Sequence, residues 1–424
     1  MGRKKVYGLS VCCIVSMIFF YASCFSQNTN DPYSIYGVGK IDDKIYNRTS
    51  GMAGTGLALR SSNFLINNNP AAIAGLTRSY FVFNAEGVGK TVQFSGTPID
   101  AGNSTSKDFW VKGISLSVKI NGFWASSFGF DQFSNINYKF NGSKQIEGSL
   151  SQYLNSYEGD GGLNDYYWTN AFSVGKHLMI GVKSSFIAGS INRKEIITDD
   201  ALSTNIQSTQ QDYLYHLRFE YGGIYHTLIN KDWDFSLGGK FSAKTSIAAD
   251  RTLTVIQNGV NVVNNDYINT NQYYLPVSEG AGVALAHYNP NNKKSTFAFD
   301  YIFDNWSSVG MHGNGWQLVN SNKISAGYEL TKLMNVNKQK FETSSLQFGA
   351  YFNSGDLNIR NTPIRNYGIT MGYAGILREL QYSLSLDGGI FGSKQNDLIK
   401  ESYFQLTIGL SYRSFLFSKG RKYD

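Results

Sequence analysis

The chain has 424 residues, of which 42% are apolar, 16% charged and 15% aromatic, with a formal net charge of +7. Such a balance excludes an intrinsically disordered chain, which lacks the apolar residues needed to bury a core. The basic residues are scattered singly apart from pairs such as Lys293-Lys294 and the terminal Lys419, Arg421 and Lys422, so no clustered basic face offers itself to nucleic acid.

The chain opens on Arg3, Lys4 and Lys5 ahead of an apolar run from Val11 to Phe20, and Cys24-Phe25-Ser26 precedes Gln27. This pattern predicts a secretory signal peptide over residues 1–26. All three cysteines, Cys12, Cys13 and Cys24, fall inside it, so the processed chain is expected to carry no disulfide, thiol nucleophile or thiolate metal site. A rival reading takes Tyr21-Ala22-Ser23-Cys24 as a lipidation box, with Tyr where a branched aliphatic is usual. Beyond residue 26 no segment approaches the 18 or so consecutive apolar residues of a membrane helix. Few charges, 28 Tyr, 28 Phe, 44 Gly and only 6 Pro instead suit a barrel wall, with one face for lipid, one for a polar lumen and aromatic girdles between. A secreted soluble β-protein is the alternative.

Residues 27–77 do not alternate. They carry Gly37, Gly39, Gly51, Gly54, Gly56 and Gly75 among small apolar residues such as Met52, Ala53, Ala58 and Ala71 to Ala74. A stretch this apolar is unsuited to a solvated tail, so it is expected to fill the lumen as a plug, or hatch, of a gated barrel.

From residue 78 onward the sequence reads as strands, because a strand sends successive side chains to opposite faces. In the last one Phe404, Leu406, Ile408, Leu410 and Tyr412 alternate with Gln405, Thr407, Gly409, Ser411 and Arg413. Similar runs predict about fourteen strands, near 78–94, 109–120, 122–140, 163–175, 178–197, 205–229, 233–257, 270–289, 294–306, 322–331, 344–354, 365–377, 381–393 and 399–415. The expected fold class is therefore all-β: a transmembrane antiparallel β-barrel over 78–417, followed by a polar tail over 418–424. Tight connections at Asn121-Gly122, Gly175-Lys176-His177 and Asn230-Lys231-Asp232 contrast with polar stretches at 142–162 and 308–322, which read as long external loops.

Candidate chemistry is sparse. Glu86-Gly87-Val88-Gly89-Lys90-Thr91 lacks the leading Gly of a phosphate loop, since Asn84 stands there and a strand continues. The five histidines, His177, His216, His226, His287 and His312, show no ligand spacing, so no metal and no cofactor is expected. Asp300 and Asp304 share inward parity and could form an acid/base pair, although wet lumen carboxylates are the commoner reading, and no enzyme is expected. Asn47-Arg48-Thr49 and Asn305-Trp306-Ser307 match glycosylation acceptors at chance frequency. Phe64, Leu65 and Ile66, together with Tyr273, Tyr274 and Leu275, are candidates to line an apolar ligand pocket, or else a packing anchor and an aromatic girdle.

Gly51-Met52-Ala53-Gly54-Thr55-Gly56 followed by Asn67-Asn68-Asn69-Pro70-Ala71-Ala72 resembles the N-terminal hatch of the FadL family of outer-membrane transporters for long-chain fatty acids and other hydrophobic compounds. Asp31-Pro32-Tyr33-Ser34 and Glu158-Gly159-Asp160-Gly161-Gly162-Leu163-Asn164 are similar to segments of a FadL-like subgroup. The resemblance implies a fourteen-stranded barrel of the bacterial outer membrane, with Asn69, Pro70 and Ala71 as hatch residues. It further implies passive uptake of a hydrophobic small molecule and its lateral release at a kinked third strand, for which the polar stretch 131–137 is the candidate. The expected partners are that ligand, outer-membrane lipid and the barrel assembly machinery, with another protein as a further candidate. The alternative function is a barrel that shuttles or assists other proteins in secretion. The end of the chain departs from the common pattern, because Phe415 and Phe417 are followed by Ser418 to Asp424 where a terminal aromatic is usual.

Overall fold

The structure is a computed structural model that describes residues 31–42, 46–77, 80–97, 104–145, 152–199, 204–336, 339–377 and 379–415. The expected signal peptide over 1–26, Phe417 and the expected tail over 418–424 lie outside the described residues. Fourteen antiparallel strands close into a barrel. They are β1 (Tyr80–Gly96), β2 (Thr105–Lys119), β3 (Trp124–Gln132 and Ser134–Gln145), β4 (Gln152–Val174), β5 (Leu178–Asp199), β6 (Thr204–Leu228) and β7 (Trp233–Ser242 and Thr245–Gln257). The second half comprises β8 (Val260–Leu275 and Ser278–Asn289), β9 (Lys293–Asp304), β10 (Ser321–Val336), β11 (Gln339–Asn353), β12 (Asn366–Leu377), β13 (Leu380–Gly392) and β14 (Ile399–Phe415). Closure is made by β1 on β14, from Tyr80 opposite Phe415 to Gly96 opposite Ile399.

Alternation sorts the wall as a pleated strand between two solvents must. On β14 Gln405, Thr407, Gly409 and Ser411 are buried toward the lumen, while Phe404, Leu410 and Tyr412 are exposed on the outside. On β2 Ser115 and Ser117 are buried and Ile114 and Leu116 exposed. Outward aromatics and aliphatics recur around the barrel and form the surface that lipid covers. Short turns at 120–123, 175–177, 229–232 and 290–292 lie at the end where β1 begins and β14 finishes, which places that end in the periplasm.

One expectation is corrected. The stretch 142–162 does not loop freely: Gln152 to Gly161 belong to β4 and pair with Gln145 to Ile136 of β3. The inner face of this hairpin packs Ile136, Tyr138 and Tyr157 into an apolar cluster while Asn135, Asn137 and Lys139 face outward, so the outward apolar alternation that marks a membrane strand is absent from it. β3 to β8 rise together well above the membrane as one sheet. The 25-residue strand β6 is about 80 Å long at roughly 3.3 Å per residue. Tilted by about 45° it climbs roughly 60 Å, twice the ~30 Å hydrocarbon core. Its outer third, from Thr204 to Asp212, is polar except for Ile206.

The stretch 308–322, expected as a loop, folds partly into a small sheet. His312–Gly313, Trp316–Leu318, Leu357–Ile359 and Thr362–Pro363 pair in sequence over the outer mouth. The ring of Trp316 packs on that of Tyr36, with centroids 5.1 Å apart.

Candidate functional site

Residues 31–42 and 46–77 run inside the barrel, and inward-facing polar side chains hold them at points spread around the wall. The segment enters at the outer end with a 3-10 turn, Pro32–Ile35. Lys40–Ile41 then adds a short strand to β3, opposite Asn135 and Ser134, while the Asp31 N–H donates to the Asn137 carbonyl at 2.7 Å. The Lys40 ammonium sits 2.5 Å from Asp31 and 3.4 Å from Glu401 of β14, and lies over the Phe391 ring. Burial alone would push this ammonium down. The two carboxylates outweigh burial and hold it above its usual value.

The next turn, Arg48–Met52, starts in a capping box: Asn47 accepts from the Thr49 N–H, and its own N–H donates to Ser50 Oγ. This cap aims Arg48 at the wall. Its guanidinium donates to Glu329 of β10 at 3.0 Å and Glu342 of β11 at 2.5 Å, and packs over the Phe64 ring. Lys294 of β9 bonds the other Glu342 oxygen. Burial disfavours the Arg48 charge, and the two carboxylates more than restore it. Farther on, Thr370 of β12 donates to the Gly51 carbonyl and accepts from the Ala53 N–H.

Asp300, the candidate acid or wet lumen carboxylate, is neither solvated nor paired with Asp304 as an acid/base couple. Its Oδ2 accepts from the backbone N–H groups of Gly56 at 2.6 Å and Leu57 at 3.0 Å, and its side chain is buried. Asp304 instead accepts from Ser321 Oγ.

The Asn-Pro-Ala motif closes the segment. Asn69 Oδ1 caps the turn Pro70–Gly75 by accepting from the Ala71 N–H at 3.0 Å. Its Nδ2 points at three carbonyls: Leu57 at 2.9 Å, Gly223 of β6 at 3.1 Å and Gly239 of β7 at 3.1 Å. Pro70 occupies the first helical position, where its missing N–H costs nothing. Ala71, Ala72 and Ala74 pack with Leu65 and Ile66 against Val82, Ala125, Ala171 and Ile224 of the wall. Glycine on the wall makes room, since a Cβ on Gly181 would come 2.4 Å from the Pro70 carbonyl carbon and one on Gly238 would come 2.0 Å from the Leu57 oxygen.

The candidate pocket residues separate. Tyr274 and Leu275 line an outer cavity of about 270 Å³ together with Tyr36, Trp306, Arg218 and Lys240. Tyr273 turns away, its hydroxyl donating to Asp212 at 2.6 Å. Ile66 borders a cavity of about 490 Å³ at the periplasmic end, which also touches Arg48, Arg60, Lys294 and Glu342. Phe64 covers Arg48 and Leu65 sits in the apolar cluster, so the two groups of three do not meet. Sequence reasoning missed Arg48, Glu329, Glu342 and Lys294. The one usable signal was the presence of charges at inward parity, which a wet lumen would carry as well.

The wall itself is interrupted. β3 breaks at Phe133, inside the stretch 131–137. β2 pairs with it only from Lys119 to Gly113, opposite Ala125 to Asp131, whereas the outer piece of β3 pairs with β4 and with Lys40–Ile41. The outer half of β2 and the outer half of β3 thus flank a seam. Two small cavities of about 160 and 120 Å³ line it, bounded by Asp42, Lys90, Asp108, Lys112, Asp131 and Asp165. Lys112 bonds Asp42 of the N-terminal segment and Gln132 at the break.

A closed fourteen-stranded barrel, an N-terminal segment bound through its lumen and a broken third strand give the chain the fold of FadL-type outer-membrane proteins. The chain belongs to the BamG family, whose family model matches residues 7–424. No curated protein matches it. Among solved structures it is similar to a Pseudomonas aeruginosa FadL homologue, with a TM-score of 0.58 and 12% identity over 89% of this chain and 99% of that one. It is also similar to the Ralstonia pickettii toluene transporter TbuX, with a TM-score of 0.56 and 12% identity over 88% and 98%. The Pseudomonas putida toluene transporter TodX gives a TM-score of 0.55 and 13% identity over 89% and 99%. At these identities the likeness is one of fold.

Proposed function

We propose that the barrel admits a hydrophobic small molecule into the cavity at its outer mouth and releases it sideways through the seam beside Phe133. The seam carries this reading, because an unpaired stretch of wall at membrane height is the one exit that spares an apolar molecule the polar lumen. Tyr36, Tyr274, Leu275 and Trp306 supply apolar surface for entry, where each buried methylene contributes about 0.8 kcal/mol. Residues 31–77 act as the hatch, and Lys40, Lys112 and Asp42 couple it to the seam. The hydrocarbon and toluene transporters of the same fold support the assignment.

A second reading has its own observation. The seam is bordered by charged side chains and the segment behind it is tied down by buried ion pairs, which suits a closed barrel serving as an accessory to other proteins. Mass spectrometry of lipids and hydrophobic metabolites co-purifying with the detergent-extracted protein, against an unrelated barrel, separates the two. Enrichment of one class of amphiphile, reduced in a Tyr274→Ala/Leu275→Ala variant, supports the channel. Enrichment of a protein partner without any amphiphile supports the accessory role and overturns the channel.

A further inference from the structure

The sheet that rises above the membrane ends in an open edge. β9 finishes at Asp304 opposite Ser278, while β8 continues outward from Leu275 to Val260. That outer piece pairs with β7 on one side, and no strand among the described residues pairs with its other side. Val260, Val262, Tyr267 and Ile268 are 64, 52, 45 and 76% exposed. From Val263 to Tyr267 the ladder on β7 runs without a bulge, so the outer backbone groups keep regular strand spacing. At its base Tyr273 bonds Asp212, which also accepts from Arg251 at 2.6 Å and Gln210 at 2.7 Å. The edge is therefore held stiff before anything binds.

Proteins normally blunt such an edge with Lys, Pro or a covering loop. Val260 to Asn269 contain no Lys and no Pro, and Asp266 is their single charge. We propose that this edge is completed by an extended segment of another polypeptide, which adds a strand to the protruding sheet through backbone hydrogen bonds. A segment of low charge fits, because the exposed side chains are Val, Ile, Tyr and Asn with Asp266 as the one charge. Neither end of the described chain adjoins the edge: Asp31 enters at Asn137 on the opposite edge of the sheet, and β14 leaves at the periplasmic end. A second copy is misplaced as well. Two copies in one bilayer are related by an axis along the membrane normal. Their strands, each tilted by about 45°, would cross at roughly 90°, far beyond the ~35° limit of a ladder.

The test attaches a benzophenone maleimide to single cysteines, Val262→Cys, Asn264→Cys and Asp266→Cys, in the full chain in the outer membrane of its producing cells. The native cysteines, all within the first 24 residues, do not compete once the signal peptide is gone. The expected result is one heterologous adduct whose crosslinked residues step by about two along an extended partner segment as the probe moves by two. Tyr267→Lys, with unchanged heat-modifiable migration of the barrel, lowers its yield at least tenfold. Absence of an adduct, adducts only between copies, or partner sites scattered without the two-residue step overturns the proposal.

Discussion

Asp300, on the lumen face of β9, accepts two backbone N–H groups from a segment more than two hundred residues earlier in the chain, at Gly56 and Leu57. A wall carboxylate therefore acts as a docking point for the N-terminal segment, held through two peptide N–H groups. Asp300→Ala is expected to leave the barrel closed and to weaken the segment's attachment by about 3 kcal/mol, since two buried donors lose a charged acceptor. Limited proteolysis between residues 46 and 77 reads the effect. Asp300→Asn keeps one acceptor oxygen and falls between.

Arg48 sits between Glu329 and Glu342 and bonds both. Arg48→Met leaves two buried carboxylates with Lys294 as their nearby cation and is expected to cost about 3–5 kcal/mol, read as a lowered urea midpoint. Adding Glu342→Gln to Arg48→Met recovers part of that loss. Arg48→Lys loses less than Arg48→Met, because it keeps the charge but not the fork that spans both acceptors.

Asn69 distinguishes two chemistries at one position. Asn69→Ala removes a cap and the wall contacts, for about 1–3 kcal/mol. Asn69→Asp keeps the cap but sets a carboxylate oxygen against three carbonyls, so it is expected to be the more damaging change. Proteolytic release of the segment in the order Asp above Ala above the unsubstituted chain is the outcome to seek; the reverse order contradicts the donor role.

Gly181 of β5 and Gly223 of β6 are wall glycines on neighbouring strands that face opposite sides of the sheet. A Cβ at Gly181 meets the Pro70 backbone at 2.4 Å, whereas a Cβ at Gly223 meets only the Met179 oxygen at 3.9 Å. Gly181→Ala is expected to displace the segment at a cost of about 1–3 kcal/mol, while Gly223→Ala is nearly neutral or slightly stabilising. Thermal unfolding followed by heat-modifiable gel migration compares the two.

The strand count and the inside-outside assignment of the wall were legible from residues alone. Phe404 to Arg413 alternate because each position faces either lipid or the lumen, and that two-residue period is a local property of the pleat. The break at Phe133 falls inside 131–137, where polar residues interrupt the third strand, but the family resemblance and not the period pointed to a kink there. Above the membrane the outer face meets water and apolar side chains such as Ile136 and Tyr138 turn inward, so the outward apolar period is lost and the upper parts of β3 and β4 looked like a loop.

The sequence by itself determined a barrel of about fourteen strands with a small-residue segment ahead of it, since local solvation alone selects those side chains. Only the tertiary structure decided that Asp300 and Arg48 pin the segment, that Tyr273 turns away from Tyr274, and that β8 ends in an open edge above the membrane. Each of these depends on which distant strands become neighbours, and no local period encodes a contact across two hundred residues.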